Sequence, residues 1–201
     1  VNEHPDAYDA LVLSGSALRL PGTLNAGDLN APWKASTANG TEWLSSDPAV
    51  GQAFLDDPLT VSVPLLRLFG VIDAARLFGR PRKNLGRDIP TLLLVGKEDT
   101  VGGPRSVHKL ADAYRSRSGF TDVTTLVYPG GRHEIFNEVM QQDVRGDLLA
   151  WLSAHSPELW RRKELLGALE KLAYDFGKAE KWLNGVGTLM TRKAELSIVS
   201  R

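Results

Sequence analysis

From Ile89 onward the chain alternates between short apolar runs and segments of helical periodicity, and this alternation constrains the fold more than any other feature. Apolar runs occupy residues 90–95 and 123–128, and each precedes a segment whose apolar residues recur every three or four positions. A further apolar run at 10–13 ends in Ser14. This order predicts an α/β fold with a parallel sheet, right-handed crossovers and strands buried on both faces.

Two of the predicted strands are followed by polar side chains that could act together. Asp99 follows the strand at 90–95 in the string G-K-E-D, and His133 follows the strand at 123–128 in the string Y-P-G-G-R-H-E. Taken alone, an aspartate in such a turn is most often a turn former or a helix cap. Ligands and catalytic groups of open parallel sheets, however, lie at the carboxyl ends of the strands. Because neighbouring strands are about 5 Å apart, we expect this carboxylate and imidazole to meet.

A carboxylate and an imidazole in this order are typical of nucleophilic catalysis by serine. The imidazole takes the proton of the hydroxyl, and the carboxylate orients the imidazole and stabilises its charged form. Acid before histidine is the later part of the order Ser…Asp…His found in α/β-hydrolases. No G-x-S-x-G occurs in the 201 residues, and there is no cysteine to serve instead. The sequence therefore predicts Asp99 and His133 as catalytic acid and base without their nucleophile.

Other candidates have simpler interpretations. Ser14 and Ser16 follow a strand but lack the flanking glycines of a nucleophile elbow, so we interpret them as turn residues. His108 is expected on the surface of a helix, Glu98 is expected to point away from Asp99, and Glu134 is expected to cap a helix or bond locally. The remaining histidines have no partners at metal-ligand spacing. We predict no metal and no cofactor.

The two remaining regions differ from the β/α part. Residues 19–88 have helically spaced apolar residues between Gly, Pro, Asn and Ser, which indicates short helices and loops inserted between two strands. A helix is expected to begin at Ser46-Asp47-Pro48. Between 165 and 183, leucines and a phenylalanine follow heptad spacing, which predicts a packed helix rather than a coiled coil because the repeat is short.

Composition excludes several classes of function. The net charge is zero, which argues against an electrostatically driven nucleic-acid binder. The absence of cysteine excludes disulfides and thiolate metal sites, and it is compatible with a cytoplasmic protein. No run of eighteen apolar residues and no charged-then-apolar amino terminus occurs, so neither a transmembrane segment nor a signal peptide is predicted.

The motifs resemble those of a known family. DAYDALVLSGSAL, WLSSDPAVGQAFLDDPL, IPTLLLVGKEDTVGGPRSVHKLADAYRS and VTTLVYPGGRHEIFNEV, followed by DLLAWL, look like the carboxyl-terminal half of a monoacylglycerol lipase or lysophospholipase. These enzymes are α/β-hydrolases that are also classed as serine aminopeptidase S33-type hydrolases. The resemblance spans residues 3 to 155 and carries the GKED and YPGGRHEIFNE strings in the order and spacing of the family.

The resemblance implies a division of the chain. Residues 1–19 and 86–156 would form the carboxyl-terminal part of an α/β-hydrolase core with its last three parallel strands, and residues 20–85 a helical cap over the acyl-binding pocket. Asp99 would be the triad acid and His133 the base. The nucleophile and the oxyanion loop would lie upstream, so the first residue, Val1, is expected to mark a truncation of on the order of a hundred residues. Residues 157–201, a helical extension, match nothing in the family.

The sequence therefore predicts the carboxyl-terminal portion of a serine ester hydrolase acting on monoacylglycerols, lysophospholipids or similar acyl esters, inactive as the isolated chain. The cap could touch a lipid surface transiently, and the oligomeric state stays open. One alternative is a non-catalytic fragment or interaction module that pairs through an exposed edge of its first strand and through its helical tail. Another is an α/β-hydrolase of different chemistry, haloperoxidase-like or a carbon–carbon hydrolase.

Overall fold

The strands of the predicted α/β core lie side by side in one sheet. The computed structural model describes residues 1–25, 27–60, 63, 65–76, 78–155, 188–189 and 198–200. In this part of the chain the strands are β1 (Leu11–Ser14), β2 (Thr91–Gly96), β3 (Val123–Tyr128), β4 (Thr188–Leu189) and β5 (Ile198–Ser200). Their order across the sheet is β3-β2-β1-β5-β4. β1 pairs in parallel with β2, and β2 in parallel with β3, which confirms the α/β fold.

Helices cover both faces of β1 and β2, which explains why these two strands are buried throughout and mostly apolar. β3 lies at the edge of the sheet, contains Thr124 and Thr125, and is less buried. Alternate side chains of β1 and β2 point to opposite faces. On one face they pack against α4 (Gln141–His155), and on the other against α3 (Gly103–Ala113). The core residues on the α4 face are Val12, Leu92, Leu94, Val144, Leu148, Trp151 and Leu152, and those on the α3 face are Leu11, Leu13, Leu93, Val95, Val107, Leu110 and Ala111.

The second edge of β1 is covered by the chain itself, which differs from the prediction of an exposed edge. β5 pairs with β1 in parallel, with Val12 opposite Ile198 and Ser14 opposite Ser200. β4 continues the sheet in antiparallel pairing with β5. An edge strand carries a row of unpaired N–H and C=O groups, and these find partners in the segment near the carboxyl terminus. The prediction of an edge on β1 that is free for another chain is therefore wrong in this structure.

The connection from β1 to β2 contains α1 (Pro48–Asp56) and α2 (Leu65–Arg76). The predicted helix start is confirmed, because Asp47 caps α1 by accepting a hydrogen bond from the N–H of Ala49. α2 is interrupted at Gly70, whose φ of 70° is not helical. Shorter helical turns lie at Pro5–Ala7, Ala31–Trp33, Tyr114–Ser118 and Ile135–Asn137.

The heptad pattern at 165–183 lies outside the described residues. Within the described ranges, no helix combines the length and apolarity needed to cross a bilayer.

Candidate active site

The loops that follow β2 and β3 pack backbone against backbone. The N–H groups of Lys97 and Glu98 donate to the carbonyl oxygens of Tyr128 and Gly131, each at 2.9 Å. A Cβ atom on Gly96 would lie 2.2 Å from the carbonyl oxygens of Gly131 and Arg132. Glycine at the end of β2 therefore allows the two loops to touch, and this contact brings their polar side chains together.

The structure places Asp99 beside His133. Oδ1 of Asp99 lies 3.2 Å from Nδ1 of His133 and also accepts the N–H of Val101 at 2.8 Å. The side chain of Asp99 is fully buried, and that of His133 is 14% exposed. Oδ2 of Asp99 is buried and has no hydrogen-bond partner within the part of the chain that the structure describes. The two residues singled out in the sequence are thus in hydrogen-bond contact.

This contact determines how the imidazole can act. A carboxylate can only accept hydrogen bonds, so the neutral imidazole carries its proton on Nδ1 and keeps the lone pair of Nε2 free. This is the tautomer that a base needs in order to take a proton at Nε2. The arrangement suits proton transfer at Nε2, with Asp99 stabilising the charged imidazolium.

The segment 41–46, which precedes α1, packs against His133. The N–H groups of His133 and Glu134 donate to the carbonyl oxygens of Trp43 and Leu44, at 3.3 and 2.8 Å. The ring of Trp43 lies 5.3 Å from the imidazole ring at an interplanar angle of 38°. Sequence reasoning missed Trp43, because no local pattern connects residues that are 90 positions apart.

The side chain of Arg132 also binds the segment 41–46. Its Nη1 donates to the carbonyl oxygens of Glu42 and Ser45, at 2.6 and 2.8 Å. Its guanidinium lies 4.3 Å from the ring centre of Trp33, a cation–π contact. The residue before the histidine therefore binds two parts of the β1–β2 connection.

Glu42 of this segment has a lowered pKa. Burial by itself raises the pKa of the Glu42 carboxyl, but hydrogen bonds from the backbone N–H groups of Asn39 and Gly40 and from the amide of Asn30 outweigh it. The pKa therefore falls below the ordinary value of 4.5. The ionised carboxylate holds the turn that leads into Trp43.

Most of the other candidates lie where the sequence indicated, but Ser14 was expected in a turn and is instead the last, paired residue of β1. Glu98 and His108 are exposed, Ser14 is a buried residue of β1, and Glu134 accepts a local hydrogen bond from Asn137 at 2.7 Å. His155 contacts Asp122 at 3.0 Å and stacks on Trp151. Among the described residues, no group of three or more acidic, histidine or cysteine side chains could hold a metal ion.

A parallel sheet covered by helices on both faces, with an acid and a histidine at adjacent strand ends, defines the class of protein as an α/β-hydrolase. The family model described as serine aminopeptidase, S33, matches residues 1–140. The chain belongs to this family of hydrolases.

Two curated relatives carry lipase names. A monoacylglycerol lipase of Mycolicibacterium smegmatis is 29% identical over 168 residues, which cover 76% of this chain and 56% of that protein. A monoglyceride lipase of Saccharomyces cerevisiae is 31% identical over 126 residues, covering 56% of this chain and 38% of that protein. The chain thus spans about half the length of the curated relatives it matches, or less.

Solved structures share the fold. The monoacylglycerol lipase of Paleococcus ferrophilus superposes with a TM-score of 0.51 at 21% identity, covering 77% of this chain and 62% of that one. A thermostable carboxyl esterase of Bacillus coagulans, in complex with glycerol, gives 0.52 at 21% identity, covering 73% and 57%. At this identity the likeness speaks for the fold alone.

Proposed function

We propose that this chain is the carboxyl-terminal portion of a serine ester hydrolase, with Asp99 as triad acid and His133 as base. The contact of 3.2 Å between Asp99 Oδ1 and His133 Nδ1 is the observation that carries the proposal. No G-x-S-x-G occurs among the 201 residues, so in this proposal the nucleophilic serine comes from a preceding part of the protein. We expect negligible ester hydrolysis by the isolated chain of 201 residues.

In the proposed reaction, Nε2 of His133 takes the proton of the serine hydroxyl as that oxygen attacks the ester carbonyl. The imidazolium then gives the proton to the leaving alcohol, and an acyl-enzyme remains. A water molecule then gives its proton to Nε2 of His133 and attacks the acyl-enzyme. The serine leaves with that proton, and the carboxylic acid is released. Asp99 stabilises the imidazolium, while backbone amides of the proposed preceding part would bind the oxyanion.

The proposed substrates are monoacylglycerols, lysophospholipids or similar acyl esters. The two curated relatives described above are named as lipases of monoacylglycerol. The proposed cap, residues 20–85, exposes large apolar side chains that could touch a lipid surface transiently. Leu59, Val71 and Ile72 are 85%, 76% and 75% exposed. Residues 1–19 and 86–156 would form the core, and a cytoplasmic location belongs to the same proposal.

The test is made on the gene product extended through the reading frame upstream of Val1. We expect a G-x-S-x-G in that extension, labelling by a fluorophosphonate probe, and turnover of p-nitrophenyl esters and 1-monoacylglycerols. His133→Ala should abolish turnover, whereas His108→Ala, which changes an exposed histidine of α3, should leave it intact.

The proposal would be contradicted if the upstream reading frame is open but the probe labels no serine in the extended product. Serine-dependent turnover by the 201 residues alone would also contradict it. Preference of the extended product for peroxide-dependent halogenation, or for carbon–carbon bond cleavage, would favour the other chemistries of the fold.

A further inference from the structure

Glu138 is a fully buried acidic residue that has no part in the proposed proton transfers. It lies between the helical turn Ile135–Asn137 and the start of α4, and its exposed fraction is 0%. Burying a charge is costly unless it is paired or hydrogen-bonded on all sides. A carboxylate at this place therefore calls for a structural explanation.

Four donors surround the carboxylate. Oε1 accepts the backbone N–H of Arg132 at 2.9 Å and that of Ser46 at 3.0 Å. Oε2 accepts the hydroxyl of Ser46 and, at 3.3 Å, the N–H of Val139. A carboxylate offers about four acceptor positions, so the ionised form is fully satisfied here and a neutral side chain could not accept all four bonds.

These bonds join three parts of the site. Arg132 immediately precedes His133, Ser46 ends the segment that carries Trp43, and Val139 leads into α4. The hydroxyl of Ser45 strengthens the same junction by donating to the carbonyl oxygen of Asn137 at 3.0 Å. The contacts of His133 with Trp43 therefore depend on a junction whose centre is the carboxylate of Glu138.

We propose that Glu138 is a positioning residue, which holds the His133 loop against the segment 41–46 and thereby keeps the imidazole aligned with Asp99. The significance for catalysis rests on the proposed function, whereas the positioning itself does not. Glu138 acts through the Arg132 backbone and Ser46 and touches neither reacting group.

The test measures His133 directly in the 201-residue chain, so it needs no nucleophile. One readout is the proton NMR signal of the imidazole Nδ1–H shared with Asp99. The other is amide hydrogen exchange at His133 and Glu134, whose N–H groups bond to Trp43 and Leu44. Removing charge-assisted hydrogen bonds should open this junction more often, so in Glu138→Ala we expect exchange at these two amides to rise about tenfold or more. The Nδ1 proton signal should weaken or vanish.

Two variants separate positioning from a general loss of stability. Glu138→Gln keeps one oxygen for the Arg132 and Ser46 N–H groups and should give an intermediate effect. Glu98→Gln removes an exposed carboxylate next to Asp99 and should leave both readouts unchanged. In all variants, the amides of β2 and β3 should keep the wild-type exchange rates.

If Glu138→Ala does not fold, Ser46→Ala decides, since it removes one donor to the carboxylate and should raise exchange at His133 and Glu134 by a smaller factor. Unchanged readouts at His133 in folded variants would overturn the proposal, as would an equal effect of Glu98→Gln. If the extended product fails to hydrolyse esters while Glu138→Ala still disturbs His133, the proposed function fails and the positioning role stands.

Discussion

The indole ring of Trp43 lies 5.3 Å from the imidazole ring of His133, and the carbonyl oxygen of the same tryptophan accepts the backbone N–H of that histidine. One residue of the β1–β2 connection therefore fixes both the backbone and the ring of the proposed base. The side chain of His133 is therefore contacted by Asp99 and by Trp43.

Asp99→Asn is expected to remove most of the activity of the extended gene product. The amide can present its N–H₂ group to His133 and favour the wrong tautomer, and in Ser-His-Asp triads this change lowers kcat about ten-thousand-fold. Steady-state kinetics with a p-nitrophenyl ester should show the loss in kcat with little change in KM. The neighbouring Glu98→Gln is the control, and a loss of similar size in that variant would argue against the assigned role of Asp99.

Gly96→Ala should separate the two strand-end loops. The added Cβ would lie 2.2 Å from backbone oxygens of Gly131 and Arg132, and the backbone must move to relieve the contact. We expect a loss of about 1–3 kcal/mol in the free energy of unfolding, measured by urea denaturation.

The matched control for this substitution is Gly146→Ala in α4, where a Cβ meets nothing within 4 Å. Alanine stabilises a helix interior relative to glycine. The free energy of unfolding of this variant should therefore rise by about 0.5–1 kcal/mol. Equal effects of the two substitutions would contradict the steric explanation.

The turn before Trp43 should weaken in acid. Because the folded-state pKa of Glu42 lies below its ordinary 4.5, its contribution to stability is complete above that pH. The contribution is lost as the pH falls through the lower folded-state value. Wild type should therefore be more stable than Glu42→Gln near neutrality, and the difference in urea midpoints should shrink below pH 4.5. A difference that does not change with pH would show that the charge of Glu42 is not responsible.

The parts of the fold that the sequence predicts are those with strong local patterns. β1 and β2 are buried and mostly apolar, and β3 is rich in β-branched residues, so the three strands could be located and the loops at their ends could be expected to meet. Asp99 and His133 followed from that topology. The start of α1 followed from Asp47 and the proline after it.

The rest of the site depends on contacts that no local sequence pattern predicts. Trp43 and Ser46 reach His133 and Glu138 across about 90 positions, through backbone carbonyl oxygens and a buried carboxylate. Glu138 lies in a loop, where an acidic residue is ordinarily a solvated one, and only the three-dimensional packing shows its burial. The pairing of β5 with β1 likewise has no signal in the apolar pattern of either segment.

The unequal lengths of the two strand connections have a consequence for the order of folding. Residues 97–122 join β2 to β3, whereas residues 15–90 join β1 to β2, a connection roughly three times as long. Closing the longer connection costs about 1 kcal/mol more in chain entropy, and contacts between distant residues form more slowly. Asp99 and His133 both belong to the shorter unit. We therefore expect the acid and the base to meet early, as this β/α/β element forms, and the segment that brings Trp43 against His133 to join at a later step.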